Sequence, residues 1–284
     1  MRRPAAVLVL CAPLLVLGTL AHAQEAKPLR LVPGEPVRIV VEQTKEILRP
    51  AQGSTPIRTR ATTRTYTLRA DAAGVGSADA GTVRLSVTLE RLQTASRTHG
   101  RAEEVDTDTP AGAAGPEGRF VNQPVVCRLS PRGELLEVEQ ALGTTVSDLP
   151  REQRCRLQGL VGDGVVSDTL GFATPFPEGA VEVGATWTHR AVVQGPAAEG
   201  EIALVVTNRV VEVRADAVVI EQQGARENDT HAPTTLAVTR CEARLVLSRT
   251  DGLVIEGRGE LTLEVGDGDD QLVMHSTCHR RRQD

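Results

Sequence analysis

Alternation of apolar and polar residues is the feature that most constrains how this sequence can fold. From Val83 to Glu90, Val or Leu occupies every odd position and Arg, Ser, Thr or Glu every even one. The segment 260–265 repeats the pattern with Leu261, Leu263 and Val265. Because successive side chains of a β-strand point to opposite faces, the pattern predicts a sheet with one buried and one solvated face.

Similar runs predict strands along most of the chain. Besides 83–89, they cover residues 37–48, 57–70, 120–129, 133–138, 186–194, 201–213, 217–224, 236–249, 253–265 and 271–279. Turn signals such as Asp251-Gly252 and Pro131-Arg132-Gly133 separate neighbouring runs. Long, half-polar strands with short turns are typical of antiparallel meanders. The expected fold class is therefore mostly β, a long-stranded antiparallel meander in one or two strongly curved sheets.

Two segments lack this alternation. From Glu139 to Leu160, Leu and Val recur at helical spacing, and Pro150 fits the first turn of a helix. One or two short helices packed on the sheet are expected there, with an irregular loop as the alternative. Residues 99–119 combine acids, Gly, Ala and Pro without an apolar period. That composition predicts a long, mobile surface loop.

The first 23 residues have the organisation of an export signal. Arg2 and Arg3 precede an apolar run, which ends at the cleavage-type sequence Ala21-His22-Ala23. The run is shorter than the roughly 20 apolar residues that span a bilayer, which disfavours a retained anchor. We expect cleavage and a mature chain without an integral membrane segment. The expected address is the periplasm or cell exterior of a Gram-negative bacterium.

Charge and composition exclude some partners. The formal net charge is −5, and removal of two arginines with the leader makes the mature chain more acidic. Such a chain does not attract nucleic acid over its whole surface, so no nucleic-acid partner is expected. The chain has one Trp, one Tyr and three Phe, most of which the core requires, and this disfavours a sugar-stacking platform. Trp187 is interpreted as a core anchor.

Four cysteines follow the leader: Cys127, Cys155, Cys241 and Cys278. An even number in an oxidising compartment predicts two disulfides, with buried thiols as the alternative. In the predicted meander, Cys241 and Cys278 lie two strands apart, at least about 9.5 Å. A bridge requires Cα atoms within about 7 Å. The sequence-local pairing therefore conflicts with the predicted topology, and all three connectivities stay open.

No motif indicates catalysis or a cofactor. There is no Gly-x-Ser-x-Gly sequence, and His99, His189 and His231 are the candidate bases if the chain is a hydrolase. His275 and His279 would lie about 13 Å apart on a strand, too far apart to share a zinc ion. The acidic clusters 103–108 and 267–270 do not match a calcium loop. We therefore expect no catalytic, cofactor-binding or metal-binding residues.

Basic residues recur in two places. Arg58, Arg60 and Arg64 share one face of the strand 57–70, whose weakly apolar faces predict an edge or solvated rim. The stripe could receive an anionic partner, but cross-strand pairing with Glu42 and Glu46 is favoured. The C-terminal Arg280–Arg282 run is interpreted as a solvated tail.

The chain also shows signs of duplication. A Gly-containing segment opens the strands at Val37 and again at Thr186, and Gly-then-apolar turns follow Ser130 and Arg249. This divides the chain into a signal peptide (1–23), a first β half (24–138), a helical or loop connector (139–180) and a second β half (181–284). The alternative is that such turns recur in any β protein.

The segments Leu29–Glu35 and Phe176–Trp187, with the Asp251-Gly252 hairpin, resemble an uncharacterised family of exported bacterial β proteins. The resemblance covers nearly the whole mature chain and implies architecture only, with no assigned activity and no site residues. The favoured function is that of an exported, non-catalytic binding or envelope-associated protein. Its partner would be a lipid or an envelope protein. A periplasmic carrier of an aliphatic ligand is the first alternative, and a hydrolase with an unrecognised site is the second.

Overall fold

The computed structural model describes residues 28–53, 55–72, 81–140, 169, 175–194, 201–227, 236–266 and 268–283. The predicted signal peptide, most of the predicted 139–180 connector, and Cys155 lie outside these residues. Among the described residues, no helix is both long and apolar enough to cross a membrane.

Twelve strands dominate the structure. They are β1 (Val37–Leu48), β2 (Arg58–Ala72), β3 (Val83–Thr98), β4 (Arg101–Asp106), β5 (Pro124–Leu129), β6 (Leu135–Gln140), β7 (Thr186–Gln194), β8 (Glu201–Val213), β9 (Ala217–Arg226), β10 (Leu236–Ser248), β11 (Val254–Val265) and β12 (Leu272–Gln283). The described residues also include a short helix, α1 (Pro110–Ala114). The mostly β, antiparallel fold class predicted from alternation is confirmed.

All twelve strands form one sheet. Eleven of them follow the order β6-β5-β3-β2-β1-β12-β11-β10-β9-β8-β7, and β4 lies outside this order, paired to β3. Most neighbours along the chain pair as in a meander, but β5 pairs with β3 rather than β4, β6 and β7 lie at opposite ends of the order, and β1 also pairs with β12. That ladder runs from Arg38 opposite Gln283 to Leu48 opposite Val273. The first and last strands of the chain therefore join its two halves into a continuous sheet.

The predicted loop at 99–119 is wrong. Residues 101–106 form β4, which pairs with the end of β3, and α1 and a 3-10 turn at Glu117–Phe120 follow. Thr109 caps α1 by accepting a hydrogen bond from the backbone N–H of Gly112. β4 is largely exposed on both faces, so its mostly polar residues show no apolar alternation. The strand could therefore not be recognised from the sequence.

Both predictions about the environment of the basic residues are wrong. β2 is a central strand, paired with β1 on one side and β3 on the other. These neighbours bury it, although its own threonine-rich sequence does not indicate burial. Glu42 and Glu46 oppose Thr63 and Thr59, so they lie on the other face of the sheet from the three arginines. The C-terminal arginines belong to β12, and Arg280 is buried.

Apolar side chains collect on one face, here called the inner face, in two clusters. The larger includes Ile39, Val41, Tyr66, Leu68, Leu85 and Leu245, together with Phe120 and Phe176 from outside the strands. The smaller contains Ala191, Ile202, Leu204, Val206, Leu236, Leu263, Val265 and Met274. The prediction that aromatic residues fill the core is confirmed for Tyr66, Phe120 and Phe176, each 1% exposed.

The segment before β1 ties two turns together. The backbone N–H of Leu31 donates to the carbonyl of Pro131, and that of Val32 donates to the carbonyl of Asp251. In both turns a serine hydroxyl accepts backbone N–H groups, and a glycine with positive φ follows. These are the two turns whose sequences resemble each other, and the shared geometry follows from the shared Ser and Gly. Duplication of the halves stays a prediction.

Candidate functional site

A continuous row of opposed residues crosses ten strands of the inner face. From β7 to β4 it contains Trp187, Asn208, Gln222, Ala243, Gly259, Cys278, Gln43, Thr62, Thr94 and Val105. Directly opposed residues of antiparallel strands project to the same side. The row is therefore a line of mainly polar or small side chains on the face that also carries the apolar core.

The neighbouring row on the inner face is also mixed in character. It contains His189, Val206, Gly224, Cys241, Leu261, Ser276, Lys45, Arg60, Ser96 and Glu103. We call the polar side chains of the two rows the polar belt. It separates the larger apolar cluster from the smaller one. Asn208, Gln222, Thr62 and Ser276 in the belt are all buried, with Asn208 at 0% exposure.

One end of the belt opens into a small polar cavity between β2, β3 and β4. Its volume is about 30 Å³, enough for one or two water molecules. Its lining residues are Arg60, Thr62, Arg64, Leu92, Thr94, Ser96, Glu103, Val105 and Glu117. The two arginines thus share the cavity with two carboxylates, which come from the segment predicted as a loop. Because the opposite charges balance, the cavity does not present a net basic stripe.

The other end of the belt is a chain of side-chain hydrogen bonds across three strands. The side-chain amide of Gln222 donates to Oδ1 of Asn208 at 2.7 Å. The amide nitrogen of Asn208 then lies 3.0 Å from Nδ1 of His189. Since Asn208 uses its oxygen as the acceptor for Gln222, its nitrogen is the donor toward His189. Nδ1 of His189 is therefore an acceptor, and the ring proton resides on Nε2.

Two N–H donors at this end have no partner among the described residues. They are Nε2 of His189 and Nε1 of Trp187, and both atoms are buried. Burial lowers the pKa of His189 to about 4, so the ring is neutral at pH 7. Buried donors normally find a partner, so two unpartnered donors two residues apart on one strand distinguish this position.

The polar end of the belt lies against aliphatic surface on both sides. Trp187 packs against the larger cluster, whereas Val193 on the same strand packs against the smaller one. The sequence alone identifies His189 only as a candidate base and Trp187 only as a core anchor. Their side-by-side position follows from the i, i+2 spacing, but their place beside Asn208 depends on the β7–β8 register.

The structure places the other candidate bases apart from His189. His99 lies in the turn between β3 and β4, with φ of 47°, and His231 lies outside the described residues. His275 hydrogen-bonds to Thr262, and His279 lies 3.6 Å from both Glu42 and Glu256. Within the described ranges, no group of three or more His, Cys, Asp or Glu side chains could hold a metal ion.

The three cysteines that the structure describes lie on three different strands. Cys127 is buried on β5, Cys241 opposes Leu261, and Cys278 opposes Gly259. β11 thus separates Cys241 from Cys278, and these two form no disulfide in the structure. Burial raises the pKa of the Cys241 thiol, whose sulfur lies against Gly224. Pairings that involve Cys155 stay predictions.

Comparisons with known proteins give distant likenesses only. No protein-family model matches the chain, and no curated protein matches it. Among solved structures it is similar to DynF from the dynemicin biosynthesis pathway of Micromonospora chersina, at 9% identity, covering 90% of this chain and 83% of that one, with a TM-score of 0.21.

Two further similar structures are bacterial. One is a DUF1329 family protein from Desulfovibrio piger, at 10% identity, covering 86% of this chain and 85% of that one, with a TM-score of 0.16. The other is a putative outer membrane lipoprotein-sorting protein domain from Vibrio parahaemolyticus, at 10% identity and the same coverages, with a TM-score of 0.15. TM-scores this low carry no argument about this chain.

Proposed function

We propose that the protein is an exported, non-catalytic binding protein that receives an amphipathic ligand on the inner face of its sheet. The observation that carries the proposal is the polar belt itself. A sheet that served only as a scaffold would gain more stability from an unbroken apolar face, because a buried polar group costs free energy unless it is hydrogen-bonded. Here polar groups cross the face between two apolar clusters.

The outer face supports the same assignment by contrast. It carries paired charges, such as Arg38 with Glu90 at 2.7 Å and Arg190 with Glu227 at 2.7 Å. Exposed ion pairs of this kind contribute roughly 0–1 kcal/mol each and mainly keep a surface soluble. Selectivity for a ligand is therefore expected from the inner face, where polar and aliphatic groups adjoin.

Binding without catalysis fits the chemistry of the belt. The nearest polar partner of His189 is the amide of Asn208, which cannot serve as a nucleophile. With a pKa of about 4, His189 is also a weak base at neutral pH. The ring is thus arranged to donate a hydrogen bond rather than to accept a proton from a reacting group.

A periplasmic carrier of an aliphatic ligand is the more specific form of this function. The smaller apolar cluster favours it, because its members are Ala, Ile, Leu, Val and Met, with no aromatic side chain. Aliphatic surface of this kind contacts acyl chains through non-directional dispersion and desolvation. His189, which opposes Val206 of this cluster, supplies the polar contact that would orient such a chain.

Native mass spectrometry tests the proposal. The protein is isolated from its own envelope without denaturation, and we expect adducts that organic solvent extracts. Val193→Asn on the inner face should lower adduct occupancy several-fold, whereas Val192→Asn on the exposed outer face should not. An unliganded spectrum from several extraction conditions would overturn the proposal.

A further inference from the structure

The geometry points to a subsite at the β7–β8 end of the polar belt where Trp187 Nε1 and His189 Nε2 donate hydrogen bonds to the uncharged carbonyl oxygen of an acyl ester. This rests on the proposed function and names the ligand class of that face. The two donors belong to residues i and i+2 of β7, so their Cα atoms are about 6.6 Å apart on one side of the strand. An ester group with one water molecule bound to it can fill the distance between these two residues.

The hydrogen-bond chain behind His189 fixes the direction of donation. Gln222 donates to Asn208, and Asn208 donates to Nδ1 of His189, so only the Nε2–H of the ring is left as a donor without a partner. The indole N–H of Trp187 can only donate. A ligand at this position must therefore offer acceptors, and a hydroxyl or amine acting only as a donor does not fit.

The surrounding charge selects an uncharged acceptor. On the inner face of β7, β8 and β9 the neighbours are Val206, Val210, Ile220 and Gly224, none of which is ionisable. Among the described residues of these three strands, the inner-face cation is Arg226, and its guanidinium donates to the carbonyl of Leu236. Among the residues that the structure describes on these strands, a carboxylate or phosphate would find no unengaged counter-charge, whereas an ester carbonyl needs none.

The aliphatic part of the ligand has an adjoining surface. From His189 the inner face of β7 continues to Ala191 and Val193, which contact the smaller cluster. Leu204 and Val206 on β8 extend the same surface. When the carbonyl of an acyl ester binds the two donors, its acyl chain would therefore extend from the polar belt over the adjoining aliphatic side chains.

Trp187 is the only tryptophan of the chain, so it reports on the subsite directly. The mature protein is titrated with 1-monopalmitoylglycerol and, as the matched ligand, with 1-O-hexadecylglycerol, an ether without the carbonyl. The readouts are Trp187 fluorescence and its single indole N–H resonance. We expect about tenfold tighter binding of the ester, equivalent to one good hydrogen bond, and a downfield shift of the indole resonance with the ester alone.

Variants of β7 supply the controls. His189→Phe keeps an aromatic ring but removes one of the two donors, and it should lower the ester preference severalfold. His189→Gln keeps an N–H donor and should restore most of the preference. Thr188→Val, exposed on the outer face of the same strand, should change neither affinity. Far-UV circular dichroism establishes that each variant retains the β fold.

The outcomes separate the subsite from the proposed function. Equal affinity for ester and ether, with an unmoved indole resonance, would overturn the subsite and leave a binding protein without this contact. Binding of neither lipid, together with an adduct-free native spectrum, would overturn both. Ester preference that persists undiminished in His189→Phe would overturn the role given to His189.

Discussion

Asn208 and His189 lie on adjacent strands, and the side-chain amide of Asn208 donates to Nδ1 of His189 at 3.0 Å. Asn208 has no exposed surface, so this bond forms where water cannot replace it. The contact joins the ring of an edge strand to the hydrogen-bonded interior of the sheet. It also determines the tautomer of the ring, on which the proposed ligand contact depends.

His189 should make stability depend on pH in a defined direction. Burial lowers its pKa to about 4, below the unfolded value of 6.5, so the unfolded chain binds more protons between these values. This contribution is complete above about pH 6.5 and is lost as pH falls toward 4. Discounted for the partly exposed ring, the loss at pH 5 is about 1 kcal/mol.

Urea denaturation at pH 7 and pH 5 measures this change. Other groups also titrate in that range, so the test is the difference between wild type and His189→Gln. The variant should lose about 1 kcal/mol less on acidification. An identical pH response in both proteins would show that the ring titrates normally.

Gln222 should be far more important for stability than its neighbour Gln223. Gln222 is 4% exposed and donates to Asn208, whereas Gln223 is exposed on the other face of β9. Gln222→Ala removes the bond and leaves Oδ1 of Asn208 unpaired, which costs about 1–3 kcal/mol. Gln223→Ala should change the free energy of unfolding by less than about 0.5 kcal/mol. Equal effects in chemical denaturation would contradict the buried hydrogen-bond chain.

Gly252 should tolerate alanine less well than Gly53. Both have positive φ, 75° and 100°, which L-residues rarely adopt. A Cβ on Gly53 meets nothing within 4 Å, so Gly53→Ala should cost only backbone strain, about 1–3 kcal/mol for its nearly glycine-specific conformation. A Cβ on Gly252 would lie 2.3 Å from the carbonyl oxygen of Arg30, so the segment before β1 must also move.

We expect Gly252→Ala to cost at least about 1 kcal/mol more than Gly53→Ala, since overpacking adds to the strain. Thermal unfolding of the two variants measures the difference. If both lower the midpoint equally, the contact between the N-terminal segment and the β10–β11 turn contributes no stability.

The sequence predicted the strands well because their signal is local. Alternation located β1, β7 and β8 to the residue, since each strand has one buried face and clear turns. β4 was missed because both of its faces are largely exposed. The central position of β2 was missed because β1 and β3 bury it. The residues adjacent to β2 in sequence do not reveal that it pairs on both sides.

The candidate site was harder to predict for the same physical reason. His189 and Trp187 could be placed on one strand face from their spacing alone. The polar belt, however, depends on the register of every strand pair, and a shift of one residue would move Asn208 or Gln222 to the outer face. The pairing of β1 with β12 joins residues more than 200 positions apart, and no local pattern specifies it.

Asp106 should hold the β4–α1 segment against the sheet. Its carboxylate accepts hydrogen bonds from Arg91 at 2.6 Å, from Gln93 at 3.0 Å and from the backbone N–H of Asp108 at 3.0 Å. The hydrogen bond from Arg91, above all, holds the pKa of Asp106 well below its usual range. The contribution to stability is therefore present at neutral pH and is lost as pH falls below about 3.9, the unfolded value.

Asp106→Asn keeps the shape of the side chain but removes its charge and half of its acceptors. We expect amide hydrogen exchange to accelerate several-fold across residues 101–120, with little change in β1 or β12, because the hydrogen bonds that Asp106 accepts all lie close to this segment. Glu104→Gln, an exposed change on the same strand, is the matched control and should leave exchange unaltered. Uniform acceleration throughout the sheet would instead mean that Asp106 stabilises the whole fold, and no acceleration would mean that the apolar packing of Phe120 holds the segment alone.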